Sequence, residues 1–286
     1  MDASTHADGE LLSLPLPRLK AAKLSGDDRR LLYYREAGRA DASAILFLHG
    51  LGSNSNNFRA QLAGINGYRI IAWDAPGIGG STPSPQPNPG GGYYVEIVRS
   101  LAESLGIARF HLVGSSWGSV IAMCFAAAHP ELLHSLTLLS PNRSMGELQG
   151  PEREAALQQW LSPDLVIGAR PDALAGMLTG PNSSERVRFL AGSLLDFATK
   201  AGFENAVQMM FNVNALEVAE HVAVPTLIIT GAADQLAPKD QHGELLQRII
   251  KNSRLVVLDD IGHLVELEVP SEVNTLIGEH VRGSEG

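Results

Sequence analysis

The apolar positions of this chain fall into two alternating rhythms. Short runs that are apolar at nearly every position predict strands buried on both faces: "AILFLHG" (44–50), "YRIIAWDAPG", "FHLVGSS", "HSLTLLSP", "PTLIITG" and "RLVVLDDIGH". Between them, apolar residues recur at helical spacing. This predicts helices over 56–63, "YYVEIVRSLAESLG" (ending at Gly106), "WGSVIAMCFAAAHP", "KDQHGELLQRII" and "PSEVNTLIGEHV". Such alternation is the signature of the α/β class, a mostly parallel sheet with helices on both faces. Two earlier runs, "RLKAAKL" and "RRLLYYREAG", add strands joined by a turn at Ser25-Gly26-Asp27-Asp28 and bring the sheet to eight strands.

The rhythm breaks from about Asn142 to Glu220, where "EREAALQQWL", "DALAGMLTG", "SERVRFLAGSLLDFA" and "FENAVQMMFN" all read as helices. The expected organisation is therefore one α/β core, residues 1–141 and 217–286, interrupted by a helical insertion over 142–216. Residues 1–16 read as a loose tail, and "GGSTPSPQPNPGGGYY" as a mobile surface connection.

Composition narrows the classes. With 286 residues, 44% of them hydrophobic, the chain can bury one large core. A net charge of −9 argues against nucleic acid or an anionic membrane as partner. The N-terminus has neither a basic start nor a long apolar run, and no stretch of about 18 uninterrupted apolar residues exists. A cytoplasmic protein, monomer or homodimer, is expected. The single cysteine, Cys124, lies in an apolar helical run and reads as a small core residue.

The chemistry centres on "HLVGSSWGSV". Gly114-Ser115-Ser116-Trp117-Gly118 joins a buried strand to an apolar helix. A serine on such a turn is lifted above the ends of the sheet, and the free N–H groups of the following helix point at the same spot. Ser116 is therefore the candidate nucleophile, and the Trp117 N–H a candidate oxyanion donor. A base and an orienting acid should lie at the C-terminal ends of other strands. His263 follows "RLVVLDD" and Asp234 follows "TLIITG", whereas the loop "SPNRS" offers no acid. His111 begins a strand, at the wrong edge of the sheet. The loop His49-Gly50-Leu51-Gly52-Ser53 supplies a second oxyanion donor, the Leu51 N–H, and there His49 reads as structural rather than as a second base.

Other chemistries fit poorly. Gly50-x-Gly52 with Asp74 ending the next strand mimics a dinucleotide fingerprint, but Ser55 stands where Gly or Ala belongs. No G-x-x-x-x-G-K or H-E-x-x-H occurs, and His129 and His134 are poorly spaced for a shared metal. No metal or organic cofactor is expected. Trp117, Met209, Met210 and Phe211 are candidates either for an apolar pocket or for ordinary packing. Arg143 is either a carboxylate clamp at the site mouth or a solvated side chain.

The segments "LFLHGLGSNSNNF", "IIAWDAPGIGGS", "HLVGSSWGS", "TLIITGAADQLAP" and "GHLVELEVP" resemble the α/β-hydrolase fold superfamily. "DAPGIGGS" is similar to the family's structural D-x-P-G-x-G-x-S turn. The resemblance is nearest to the 3-oxoadipate enol-lactonase and carboxylesterase-like branch, with the meta-cleavage C–C hydrolases as a second likeness. It implies an eight-stranded sheet with a helical cap over the site at 142–216, and a Ser-His-Asp hydrolase acting on a small-molecule ester or lactone through an acyl-enzyme. Gly50, Arg143, Met210 and Leu264 are its candidate substrate-binding residues. Many of the C–C hydrolases carry Trp just after the catalytic His; here that position is Leu264. Some members of the fold act as small-molecule receptors while retaining the triad. Activity is expected to rise with pH through one ionisation near the ordinary histidine value, about 6.5.

Overall fold

A computed structural model describes residues 3–24, 27–162 and 171–285. Its frame is an eight-stranded sheet in the order β1-β2-β4-β3-β5-β6-β7-β8. The strands are β1 (Lys20–Leu24), β2 (Asp27–Ala37), β3 (Ala44–Leu48), β4 (Arg69–Trp73), β5 (Phe110–Ser115), β6 (Leu133–Leu139), β7 (Thr226–Gly231) and β8 (Ser253–Leu258). Only β2 runs antiparallel to its neighbours. β3 and β5 lie side by side in parallel register, Leu48 opposite Gly114, so the loops after both strands emerge at the same edge. The expected turn at Ser25-Gly26 lies outside the described residues.

The all-apolar runs behave as their pattern requires. Every residue of β3, β4, β5 and β7 is buried, because helices cover both faces. One face carries α3 (Gly91–Ser104) and α4 (Trp117–Ala128), packed into the cluster built around Trp73, Tyr94, Phe110 and Phe125. The other carries α2 (Arg59–Gly64) and the closing helix Pro270–Gly283, around Phe47, Phe58, Ile70 and Ile277. β8, at one edge of the sheet, is only half-buried. Cys124 is partly buried, and burial pushes its thiol up to about 12, so it is an unreactive packing residue.

Two expectations are corrected. Within the stretch 1–16 expected to be a loose tail, Ala3–Ser13 form a helix, α1. Leu12 gives it an anchor in an apolar cluster with Ala60, Leu174, Leu264 and Leu267. Arg59 donates to the Leu12 carbonyl (2.8 Å), and Asp8 accepts from the Ser271 N–H (2.8 Å). The helix over "SERVRFLAGSLLDFA" breaks at Gly192-Ser193 into a helix, Glu185–Gly192, and a 3-10 turn, Leu194–Phe197. A Cβ at Gly192 would lie 2.9 Å from the Pro171 carbonyl oxygen, so the break occurs where the chain packs closely on the preceding helix.

Between β6 and β7 the described residues contain helices Gly150–Trp160, Pro171–Leu178, Glu185–Gly192, Lys200–Asn212 and Ala215–Ala219, and no strand. The segment grips the loop after β8 directly. The His263 N–H donates to the Leu178 carbonyl (2.9 Å). Glu268 accepts from the N–H of Gly180 (2.7 Å) and of Gly262 (2.9 Å).

Candidate active site

The turn from β5 into α4 places Ser116 in a conformation that non-glycine residues rarely adopt, φ 51° and ψ −114°. Such a residue carries roughly 1–3 kcal/mol of strain, which the surrounding packing must hold. The two flanking glycines allow the turn to close. A Cβ at Gly114 would sit 2.4 Å from the Gly118 carbonyl oxygen, and one at Gly118 would sit 2.2 Å from that of Leu48. The Ser116 N–H donates to the Leu139 carbonyl (2.9 Å), fixing the turn against β6.

Asp234 follows β7 and His263 follows β8. Asp234 Oδ2 accepts from His263 Nδ1 at 2.7 Å, and its Oδ1 accepts the N–H groups of Leu236 (2.9 Å) and Ala237 (2.8 Å). Burial opposes the charge on this carboxyl. The charge and hydrogen bond of His263 and the two backbone donors outweigh burial and hold its pKa below the usual carboxylate value. Burial also opposes the imidazolium of His263, but Asp234, with Glu266 and Glu268 behind it, raises its pKa above the ordinary histidine value. The expectation of an ionisation near 6.5 is therefore corrected upward. His263 Nε2 is buried and makes no hydrogen bond with any described residue.

His263 and Ser116 line the same cavity, together with Gly50, Leu51, Ser53, Asn57 and Leu264. Its volume is about 210 Å³, below the range of roughly 300–1,000 Å³ common for ligand pockets, which favours a small substrate. The far wall comes from the segment between β6 and β7 and is apolar apart from Gln159, with Trp160, Leu174, Met177, Leu178, Leu195 and Phe203. Among the described lining residues there is no charged side chain other than the titratable His263. Trp117 opens α4, so its N–H is one of the helix's unpaired donors.

Two candidate substrate-binding residues fall elsewhere. Arg143 turns to Glu147 (2.9 Å) and does not line the cavity. Met210 packs in the core with Met209, Phe211 and Trp117, all of them buried, because the apolar face of Lys200–Asn212 turns toward α4. The Trp117 ring meets Tyr94 edge-on at 5.0 Å.

His49 is spent within its loop. Its Nδ1 donates to the Gly50 carbonyl (2.8 Å), and its Nε2 accepts from the Ala75 N–H (3.0 Å). Full burial depresses its pKa to about 4, so it stays neutral. Asp74, the acid of the dinucleotide rival, accepts from the Ser55 N–H (2.7 Å) and is equally committed.

The sequence reading missed Asn57 and Glu266. Asn57 lines the cavity from the 3-10 turn Ser55–Phe58. Glu266 is fully buried behind Ser115. Both lie inside segments that carry the family resemblance, Asn57 in "LFLHGLGSNSNNF" and Glu266 in "GHLVELEVP", but nothing in the pattern of either segment singles them out.

A family profile described as the alpha/beta hydrolase fold matches residues 43–175, a stretch that includes Ser116 but ends before Asp234 and His263. Two curated relatives span nearly the full length. A 2-hydroxy-6-oxo-6-phenylhexa-2,4-dienoate hydrolase from Comamonas testosteroni is 27% identical, covering 92% of this chain and 96% of its own. A 3-oxoadipate enol-lactonase from Acinetobacter baylyi is 26% identical, covering 85% of this chain and 90% of its own. Among solved structures, a thermophilic esterase from Thermogutta terrifontis superimposes with a TM-score of 0.81 at 21% identity, covering 94% of this chain and all (100%) of the other.

Proposed function

We propose that this chain, a member of the α/β-hydrolase fold superfamily and a hydrolase, is a serine hydrolase that cleaves an ester or lactone bond of a small, largely apolar substrate through an acyl-enzyme. The observation that carries this reading is one cavity lined by both Ser116, on its strained turn, and His263, whose other ring nitrogen is held by Asp234 at 2.7 Å.

In this reading His263 Nε2 takes the Ser116 proton as Oγ attacks the carbonyl carbon. The resulting oxyanion is received by the N–H groups of Leu51 and Trp117. His263 then protonates the leaving oxygen, the carbonyl reforms, and an acyl-Ser116 ester remains. Water, deprotonated by His263, reverses the sequence and frees the acid. Asp234 fixes the tautomer that keeps Nε2 unprotonated and stabilises the imidazolium. The segment 142–216 acts as a cap: its apolar side chains close the cavity and exclude water, and residues 1–141 and 217–286 form the catalytic core. Incubation with a serine-directed aryl phosphonate tests the assignment. One equivalent should attach to Ser116 and abolish ester hydrolysis; labelling elsewhere, or activity that survives full labelling, overturns it.

The second reading is hydrolysis of a C–C bond in a vinylogous diketo acid, supported by the likeness to the Comamonas testosteroni hydrolase. Leu264 in place of a Trp, and the lack of a cation among the described lining residues to clamp a carboxylate, favour the ester reading.

A further inference from the structure

Glu266 stands three residues after His263, in the short helix Val265–Glu268, and is completely buried. Burying a carboxyl is costly unless it is paired, and among the described residues no lysine or arginine pairs with it. Its partners are instead taken from the machinery around Ser116. Ser115 Oγ donates to Oε1 at 2.7 Å, Asn57 Nδ2 donates to the same oxygen at 2.5 Å, and Gln61 Nε2 donates to the Glu266 carbonyl at 3.1 Å. One residue thus ties together the nucleophile turn, the turn after the first loop, α2 and the His263 loop. The bond also fixes the Asn57 amide, since its nitrogen must face the carboxylate.

The charges around Glu266 are few. On its own segment, Glu268 spends its oxygens on Gly180, Ser183 and Gly262, and His263 faces the cavity. From the loop after β7, Asp234 is bound to His263. From α2, the Arg59 guanidinium goes to the Leu12 carbonyl; from the closing helix, Glu272 is exposed; the turn Ser55–Phe58 and β7 bring no charge. His263 is therefore the charge that Glu266 addresses.

We propose that Glu266 is a positioning residue for the hydrolysis: as a carboxylate it braces the Ser116 turn against the His263 loop and supplies a second negative charge favouring the imidazolium formed during attack. This rests on the serine-hydrolase reading. Burial raises this carboxyl's pKa and leaves Oε2 without a hydrogen bond to any described residue; the two donors on Oε1 and the charge of His263 oppose that shift and favour the anion. The imidazolium exists only beyond the ground state, so the effect belongs to kcat rather than KM.

The test is the pH profile of kcat/KM for a neutral aryl ester. Glu266→Gln keeps the shape and an acceptor but removes the charge. Its acid limb should move down by about one pH unit, the scale of a neighbouring charge. Above the limb kcat should fall about tenfold, with KM changed less than twofold. A well-folded Glu266→Gln enzyme with an unmoved limb and unchanged kcat overturns the proposal. If that variant does not fold, Ser115→Ala decides. Losing one donor makes the carboxylate harder to ionise, so the limb should shift the same way, with kcat severalfold lower; a profile superimposable on the parent's overturns it. Ser116→Ala, measured alongside, separates the two levels. If it keeps activity, the serine-hydrolase reading falls; if it is inactive, an unmoved limb removes only the role of Glu266.

Discussion

Asp234 Oδ2 and His263 Nδ1 lie 2.7 Å apart, although 29 residues separate them in the chain. The contact exists because β7 and β8 are parallel neighbours, so the loops that follow them leave the sheet at one edge. The pair is buried and leaves the far nitrogen of the ring without a hydrogen bond to any described residue. Asp234→Asn should keep the fold yet lose about 10³–10⁴ in kcat, because an amide that donates to Nδ1 stabilises the wrong tautomer. Steady-state kinetics above pH 8 check this. A loss below about tenfold would mean that the pair serves only packing.

Ser116→Ala should lower kcat for ester hydrolysis by several orders of magnitude, since members of a triad act as a unit. Ser115→Ala should lose about tenfold, the lower end of the value of one hydrogen bond to a charged group. The turn geometry motivates the contrast: both serines line the cavity, but Ser116 stands at the strained apex of the turn, whereas the Ser115 hydroxyl is spent on Glu266. Equal losses in the two variants would reverse the assignment.

What was legible in the sequence follows from which forces are local. Buried parallel strands must be apolar throughout, so "AILFLHG" and "TLIITG" announce themselves, and with them the loops that carry Leu51 and Asp234. The glycine at 114 is demanded by the Gly118 carbonyl one turn on and the glycine at 118 by the Leu48 carbonyl of the neighbouring strand, and the motif records both. The illegible parts depend on distant partners. Met210 and Leu174 look alike in sequence, yet one faces α4 and the other the cavity, a difference set by how the inserted helices dock. Arg143 is drawn off by Glu147 on its own segment. The first helix has too few apolar positions to show a periodicity, and is held by Leu12 and Asp8 against elements far along the chain.

Activity should rise with pH along an acid limb placed above 6.5. The sign follows from the proposed mechanism, in which only neutral His263 accepts the serine proton, while Asp234, Glu266 and Glu268 together outweigh burial in favouring its charged form. Below that limb kcat/KM should drop tenfold per pH unit. A limb at or below 6.5, measured with an ester lacking ionisable groups, contradicts the electrostatic picture.

Stability should fall on acidification between about pH 6.5 and 4. His49 is neutral in the fold because burial depresses its pKa to about 4, whereas the unfolded chain binds that proton near 6.5. The folded-state advantage is therefore complete above 6.5 and is lost as pH falls toward 4, at up to about 1.4 kcal/mol per pH unit for this one group. His49→Gln can still accept from Ala75 and donate to Gly50. It should flatten the plot of Tm against pH over that window, and an unchanged slope would assign the acid sensitivity to other groups.

Substrate preference separates the two hydrolase readings. A neutral aryl ester or a small lactone should be turned over with higher kcat/KM than a meta-cleavage diketo acid. The cavity offers apolar contact from Trp160, Met177, Leu178 and Phe203, and its described lining contains no lysine or arginine for a carboxylate. An anionic substrate entering such a cavity gives up hydration without an ionic partner, a cost that a neutral ester avoids. C–C cleavage also requires a ketonised diketo acid held in place before attack, and Leu264 stands where a Trp accompanies that chemistry in many related hydrolases. Lengthening the acyl chain should first raise kcat/KM through added burial, about 0.8 kcal/mol per CH₂, then lower it once the cavity of about 210 Å³ is filled. The deciding comparison uses one enzyme preparation with a short-chain aryl ester, an enol-lactone and a diketo acid. If the diketo acid leads by more than about tenfold, roughly 1.4 kcal/mol of transition-state preference, the ester reading fails.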